Sequence, residues 1–389
     1  MKLLFITGLG RKGDRVYTRK WGSRMKLLVV SKLERSARSV NTLVKLMQAG
    51  QALGHEVALF GEQQSDVPGV PTSLDVKKFD RAVFVIHETK DFPDLPYLAQ
   101  LIDSMPKNRR AVIDCGGRYN ETLRIEHDFN HLEKLDSHQG WEWVEGIEAV
   151  ADKILQPTLT PLRPNVRPFL FHAFDPGSVA RPYGSAAEAA RAWSGADGSP
   201  RKRYGVAYVG HNWMRWTQVR AFLEALRPIR EELGPICLSG WRWDEREDWA
   251  IELGIQGVDT DPALLKELGV ETHWPLPFNE VIGFVGHARF GPVFQRPLFN
   301  HLGLVTNRAF ETFCADTIPL LMQPDRLVEA VYGPAGRPLA PGDDVAGRLK
   351  DMMLRPEPYW EAVLKVRAHL AERHSFRRRF QELLAILEE

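Results

Sequence analysis

The chain has 389 residues, 44% of them apolar and 26% charged, with a formal net charge of +1. That length provides for two domains, each with its own core, and the composition is that of a globular protein. Near-neutral charge excludes a global field that draws in nucleic acid, though not a local basic groove, and no apolar run nears the roughly 18 residues needed to cross a bilayer.

The 3 cysteines, Cys115, Cys237 and Cys314, are widely spaced and offer neither a disulfide framework nor metal-ligand spacing. With no leader-like apolar stretch at the start, they predict a cytoplasmic protein. Gly8, Gly10 and Gly13 match G-x-G-x-x-G. A dinucleotide site needs a helix after its glycines and a crossover of a dozen or more residues before the next strand. Here a new strand begins almost at once, at Met25. Residues 1–24 are therefore expected to be an extension, with the first domain spanning 25–176.

Within that domain, 26–30 reads as a strand and 40–53 as a helix with apolar residues at Leu43, Leu46, Met47 and Ala49. Gly54 stops the helix and 55–60 forms the next strand. Strands at 81–86 and 111–114 flank a helix near 95–104. This alternation predicts a doubly wound parallel sheet of the α/β class. Ligands bind beyond the carboxyl ends of such strands, which makes His87 and Asp114 the candidate catalytic groups, with Glu88 and the turn Gly116-Gly117 beside them. A loop-capping histidine and a carboxylate bonding turn amides are the structural alternatives. His127, His131 and His138 fall in an acidic stretch without the His-Glu-x-x-His arrangement; a solvated helix face is expected there and no metal site.

Strands at 154–159 and 168–174 close the first domain. Gly, Ala, Ser and Pro crowd 177–203, as in a linker carrying one short Ala-rich helix. The second domain, 204–356, opens with a strand at 204–209, then Gly210, His211 and Arg215 before a helix over 216–233. A strand, a glycine turn and a helix start make an anion nest. A strand at 236–239 and the loop Trp241-Arg242-Trp243 precede a helix at 248–253. The run 281–289 reads as a strand, which would put His287 at a carboxyl end as a donor contact, with Phe290-Gly291-Pro292 turning the chain. Helices are expected at 326–331, 344–353, 357–372 and 376–387, the last two with apolar stripes of helical period.

The stretch that organises these pieces is 303–319, GLVTNRAFETFCADTIP. Thr306 or Asn307 is placed to cap a helix by accepting a backbone N–H. A helix start is partly positive and attracts phosphate; Arg308 adds a planar fork of donors, and Glu311, three residues on, shares its face. A carboxylate beside a diphosphate site suits the paired hydroxyls of a ribose. This R-x-F-E block before a strand resembles the donor-binding signature of GT-B glycosyltransferases, in particular the CgeB-like (spore maturation protein type) branch.

The resemblance implies two Rossmann-like doubly wound parallel-sheet domains facing a cleft, with the helices of 357–389 packing back on the first. In the wider retaining group two glutamates stand eight apart, one on the donor sugar and one on its ribose. Glu311 matches the second, and the first position is Gly303. The glycine and basic pair that hold the donor diphosphate in such enzymes match Gly210 and Arg215, with His211 where an arginine is usual. The implied activity is transfer of a sugar from a nucleoside-diphosphate donor, without metal or other cofactor and with retention; under inversion Asp114 or His87 is the candidate base. The acceptor is left open among small molecules, polysaccharides, proteins and modified DNA. A nucleotide-sugar epimerase and a non-catalytic sugar-nucleotide binding protein are the alternatives.

Overall fold

The computed structural model describes residues 24–31, 40–62, 70–86, 98–120, 137–198, 201–246, 248–252 and 254–389. His87, Glu88, His127, His131 and the Gly8–Gly13 run lie outside them. Two sheets organise these residues, and all their strand pairs are parallel. The first contains β1 (Lys26–Val30), β2 (Glu56–Phe60), β3 (Thr72–Ser73), β4 (Arg81–Ile86), β5 (Arg110–Asp114), β6 (Lys153–Gln156) and β7 (Val166–Pro168), in the order β3-β2-β1-β4-β5-β6-β7. The second contains β8 (Tyr204–Val209), β9 (Ile236–Ser239), β10 (Val270–His273), β11 (Ala288–Val293) and β12 (Ile318–Leu321), in the order β10-β9-β8-β11-β12.

The strands are nearly continuous apolar runs because both sheet faces are covered by helices. Alternation along each strand then decides which face a residue serves. Leu28, Val30, Phe84, Ile86 and Val112 join Ile147 and Val150 on one side of the first sheet. Leu27, Val29, Val83, Val85 and Ile113 face the other side, with Leu43, Leu46 and Met47 of helix Val40–Ala52. The same layer takes in Phe380, Leu383, Leu384 and Leu387 of the terminal helix Phe376–Glu388, each 1% exposed. Burial of such a side chain stabilises by about 1.5–3 kcal/mol. Gly50 lets this happen, since a Cβ there would stand 2.3 Å from the Phe380 ring.

The preceding helix, Pro356–Arg373, stays with the second domain: Trp360, Val363, Val366 and Leu370 belong to that core. The chain therefore crosses back between the two helices. At the crossing the Phe174 amide donates to the His374 carbonyl (2.8 Å), and Ser375 caps the terminal helix by accepting from the Arg378 amide.

Two expectations meet the structure differently. First, the short Ala-rich helix expected within 177–203 is present and is packed. Helix Ala186–Ser194, capped by Ser185 and by Gly195 (φ 76°), buries Ala189, Ala190, Ala192 and Trp193 in the second core. Its small residues are what close packing requires, and composition alone cannot separate that from a linker. Second, 278–289 is mostly helix: Phe278–Gly286 buries Val281 and Val285 at helical spacing, and the strand begins only at Ala288. Gly291-Pro292 lies inside β11 rather than in a turn. Pairing with β8 extends only to Phe290, so the missing Pro292 amide breaks no ladder there. Among the described residues no helix is long and apolar enough to cross a membrane.

Candidate functional site

In an open parallel sheet the crevice forms where strand order reverses, beyond the carboxyl ends. In the second sheet that point lies between β8 and β11. Gly210, just after β8, donates its amide to the Ser239 carbonyl (2.8 Å) and accepts from the indole of Trp243 (2.8 Å). A Cβ on Gly210 would lie 2.5 Å from the Tyr208 hydroxyl, and one on Gly240 2.1 Å from the Gly210 carbonyl, so the β8 and β9 loops touch backbone to backbone. Asn212, fully buried, ties them by donating to the Arg242 carbonyl (2.9 Å) and to Thr260 (2.6 Å). Met214 (φ 56°) and Arg242 (φ 69°) are the non-glycine residues with left-handed backbone among those described. Both sit in these two loops, where held strain is characteristic of binding sites.

His211 Nδ1 accepts from the Trp241 amide at 3.0 Å, so in the neutral ring Nε2 carries the proton. Burial, and then Arg215, Arg308 and Arg242, press its pKa down to about 4. The ring is therefore neutral at physiological pH and sits in a positive field. Arg215 stands at the start of helix Trp216–Leu226 and donates Nη1 to the carbonyls of His211 (3.0 Å) and Trp213 (3.1 Å), while its buried Nε has no partner. Unpaired amides and the positive end of an 11-residue helix add to this charge.

Arg308 reaches the same place from the other side. Its Nε donates to the Val209 carbonyl at the end of β8 (2.6 Å), and its Nη1 forms an ion pair with Glu311 Oε2. Glu311 is 7% exposed and takes a second bond on that oxygen from Asn307 Nδ2 (3.2 Å). Asn307 begins the short helix Arg308–Glu311, yet it caps nothing: its backbone is already helical and its amide serves Glu311 instead. Thr306 is half-buried beside it. The structure thus brings Gly210, His211, Arg215, Thr306, Asn307, Arg308 and Glu311 to one crevice.

It does not bring His287 there. That residue ends helix Phe278–Gly286, and its carbonyl accepts from the Tyr204 amide at the amino end of β8, the opposite edge of the sheet. The misread strand at 281–289 is the cause. Asp114 ends β5 as expected but is fully buried, accepting from the amides of Arg118 (3.0 Å) and Tyr119 (2.9 Å) and from Gln156 Nε2 (2.9 Å). Burial pushes its carboxyl up and these bonds pull it back. This is the turn-bonding arrangement, with the lone pairs turned inward. The triplet Asp259-Thr260-Asp261 is likewise structural: Asp259 pairs with Arg246 and Asp261 caps helix Pro262–Glu267. Among the described residues no group of three His, Cys, Asp or Glu side chains could hold a metal ion.

Several residues escaped the sequence reading. Trp241 (47% exposed) and Trp274 (73%) meet edge to face with centroids 4.8 Å apart beyond β9 and β10, and Arg242 lies over Trp213. Exposed indoles at a sheet's carboxyl edge offer faces for a planar ring. Gln295, just past β11, is 1% exposed, and neither atom of its amide has a partner. Only a correct reading of β11 would have marked it.

No family model matches the chain, and no curated protein matches it in sequence. Solved structures do match in shape. An α-glucosyltransferase in complex with UDP-glucose and DNA containing an abasic site superposes with a TM-score of 0.58 at 11% identity. The T4 phage β-glucosyltransferase superposes with 0.54 at 11% identity in complex with UDP-glucose, and with 0.52 at 12% in complex with UDP and Mn2+. Each comparison covers 94% of this chain and 100% of the other. Together with two parallel sheets meeting along their carboxyl edges, these matches establish the GT-B fold, two Rossmann-like domains across a crevice.

Proposed function

We propose that the chain is a glycosyltransferase that moves a sugar from a UDP-sugar to a hydroxyl on an acceptor. The observation that carries this reading is the convergence of His211, Arg215, Arg308 and Glu311 at the switch point of the second domain. Arg308, Arg215 and the adjoining helix start place positive charge where negative charge grows on the departing diphosphate, and preorganised charge in a water-poor crevice is worth most there. Neutral His211 offers an Nε2–H to a phosphate oxygen. Glu311 receives the ribose hydroxyls, and Trp241 and Trp274 offer ring faces to the base. Closure of the lobes excludes water, which otherwise competes as acceptor.

Protein cations meet the leaving-group charge in this scheme, so turnover is expected to survive chelation of divalent ions. Configuration is proposed to be retained, a course that asks no base of the protein and accords with Asp114 being occupied by the amides of its own turn. The narrower kinship with CgeB-like enzymes rests on the Arg308–Glu311 block alone. A hydroxyl-bearing base in DNA is the proposed acceptor, because a neighbour of this fold was solved on DNA.

The test is a thermal-shift series with UDP-, GDP-, ADP- and TDP-sugars, followed by UDP release with hydroxymethylated and unmodified duplexes. A shift with UDP-sugars and release only with the hydroxymethylated duplex is expected. The absence of any nucleotide-dependent shift sinks the reading; sugar release without acceptor favours an epimerase, and binding without turnover a binding protein.

A further inference from the structure

A chain of hydrogen bonds crosses from the first domain into the donor crevice. Its direction follows from chemistry. Glu311 as a carboxylate only accepts, so Asn307 presents its NH2 to it (3.2 Å) and turns its carbonyl Oδ1 the other way. That oxygen faces the hydroxyl of Thr42, on the first turn of helix Val40–Ala52, at 3.5 Å. Thr42 spends its single proton on Asn307 and must accept from His172 Nδ1 (3.1 Å), which selects the ring tautomer with hydrogen on Nδ1. Thr42 and His172 are 2% and 6% exposed, so water does not substitute for either. The order is His172 to Thr42 to Asn307 to Glu311, each donor pointing toward the charge. Bonds aligned this way polarise one another. Of these three bonds the one that crosses between domains, Thr42 to Asn307, is also the longest, as expected of a contact that tightens on closure.

We propose that Thr42 and His172 are positioning residues that set Glu311 for the donor ribose, so that seating the first domain and recognising the nucleoside are one event. The inference rests on the reading of Glu311 as the ribose group. A carboxamide is symmetric in shape but not in charge. Held from both sides, by Thr42 on Oδ1 and Glu311 on Nδ2, the Asn307 carboxamide is fixed in plane; released by Thr42 it still donates to Glu311 but no longer holds that carboxylate in one place. Arg308 keeps its own bond to the Val209 carbonyl, so the fork beside the diphosphate stays in place and the loss falls on the ribose.

The test compares UDP with inorganic pyrophosphate, which has no ribose. Thr42→Val is expected to weaken UDP binding about tenfold, the size of one bond in a charged network, and to leave pyrophosphate binding unchanged. Thr42→Ser, which keeps the hydroxyl, restores UDP binding. His172→Leu repeats the loss and His172→Asn, which keeps a donor near Nδ1, does not; this pair decides the matter if Thr42→Val fails to fold. In a Glu311→Ala background Thr42→Val adds no further loss. Equal weakening of both ligands, or failure of the serine rescue, overturns the relay while leaving the glycosyltransferase reading intact. A wild-type chain that binds no nucleoside diphosphate overturns both.

Discussion

The two sheets share a topology but treat their carboxyl edges in opposite ways. At the first, Asp114, Gln156 and Asn120 bond one another and the turn amides in full burial, with the Asn120 amide on Gln156 Oε1 at 3.2 Å, and of this cluster Asn120 Oδ1 alone lacks a partner. At the second, His211, Arg215 and Arg308 lie together half-exposed, two residues hold left-handed backbone, and Gln295 has no partner. Placement beyond a parallel strand makes a residue eligible for function; whether its bonding capacity is already used decides the rest. A buried polar group without a partner costs about 1–3 kcal/mol, and at Gln295 both ends of the amide are left so, beside a cluster of cations, where at the first edge one oxygen is.

Substitutions read by affinity and by stability side by side put this contrast at risk. The largest effect is expected from Arg308→Ala, which removes the proposed phosphate donor and strands Glu311: UDP binding falls by about 100-fold, measured by calorimetry, and stability drops by about 3–5 kcal/mol. Next is Asp114→Asn, which turns an acceptor toward amides into a group with one oxygen too few. Chemical denaturation should show a loss of about 1–3 kcal/mol, with UDP affinity per folded molecule unchanged; a selective loss of affinity would restore Asp114 as a functional group.

The smallest effect concerns pH. The pKa of His211, lowered to about 4 from an ordinary 6.5, means the unfolded chain binds the proton more readily. Stability is therefore complete above pH 6.5 and declines as pH falls toward 4, with His374, lowered to about 3, extending the decline. Melting temperature against pH should show this slope, reduced in His211→Asn and reduced also by bound UDP, whose phosphates favour the charged ring and bring its pKa back up.

Much of the architecture was legible because parallel strands buried on both faces are apolar runs, as at Lys26–Val30 and Tyr204–Val209, the latter closed by Gly210. The Arg308–Glu311 pair was legible for the same kind of reason, since three-residue spacing on a helix forces proximity. Val281–Gly286 was not, because a short apolar run has no length with which to declare its period, and one wrong element carried His287 to the wrong edge. The role of Asn307 was hidden for another reason: its partners are Glu311 and, 265 positions away, Thr42, and no local pattern encodes the second. The alanines of 186–192 resembled a tether since smallness serves both looseness and tight packing.

The return of helix Phe376–Glu388 to the first sheet has a consequence for biosynthesis. One flank of that sheet is covered only in part, by Leu43, Leu46 and Met47, until residues 376–388 have been made and docked. The first lobe cannot mature ahead of the second, and a nascent chain stalled near residue 370 would present Leu27, Val29 and Val83 to chaperones. A stop codon there would leave the first lobe's layer unfinished.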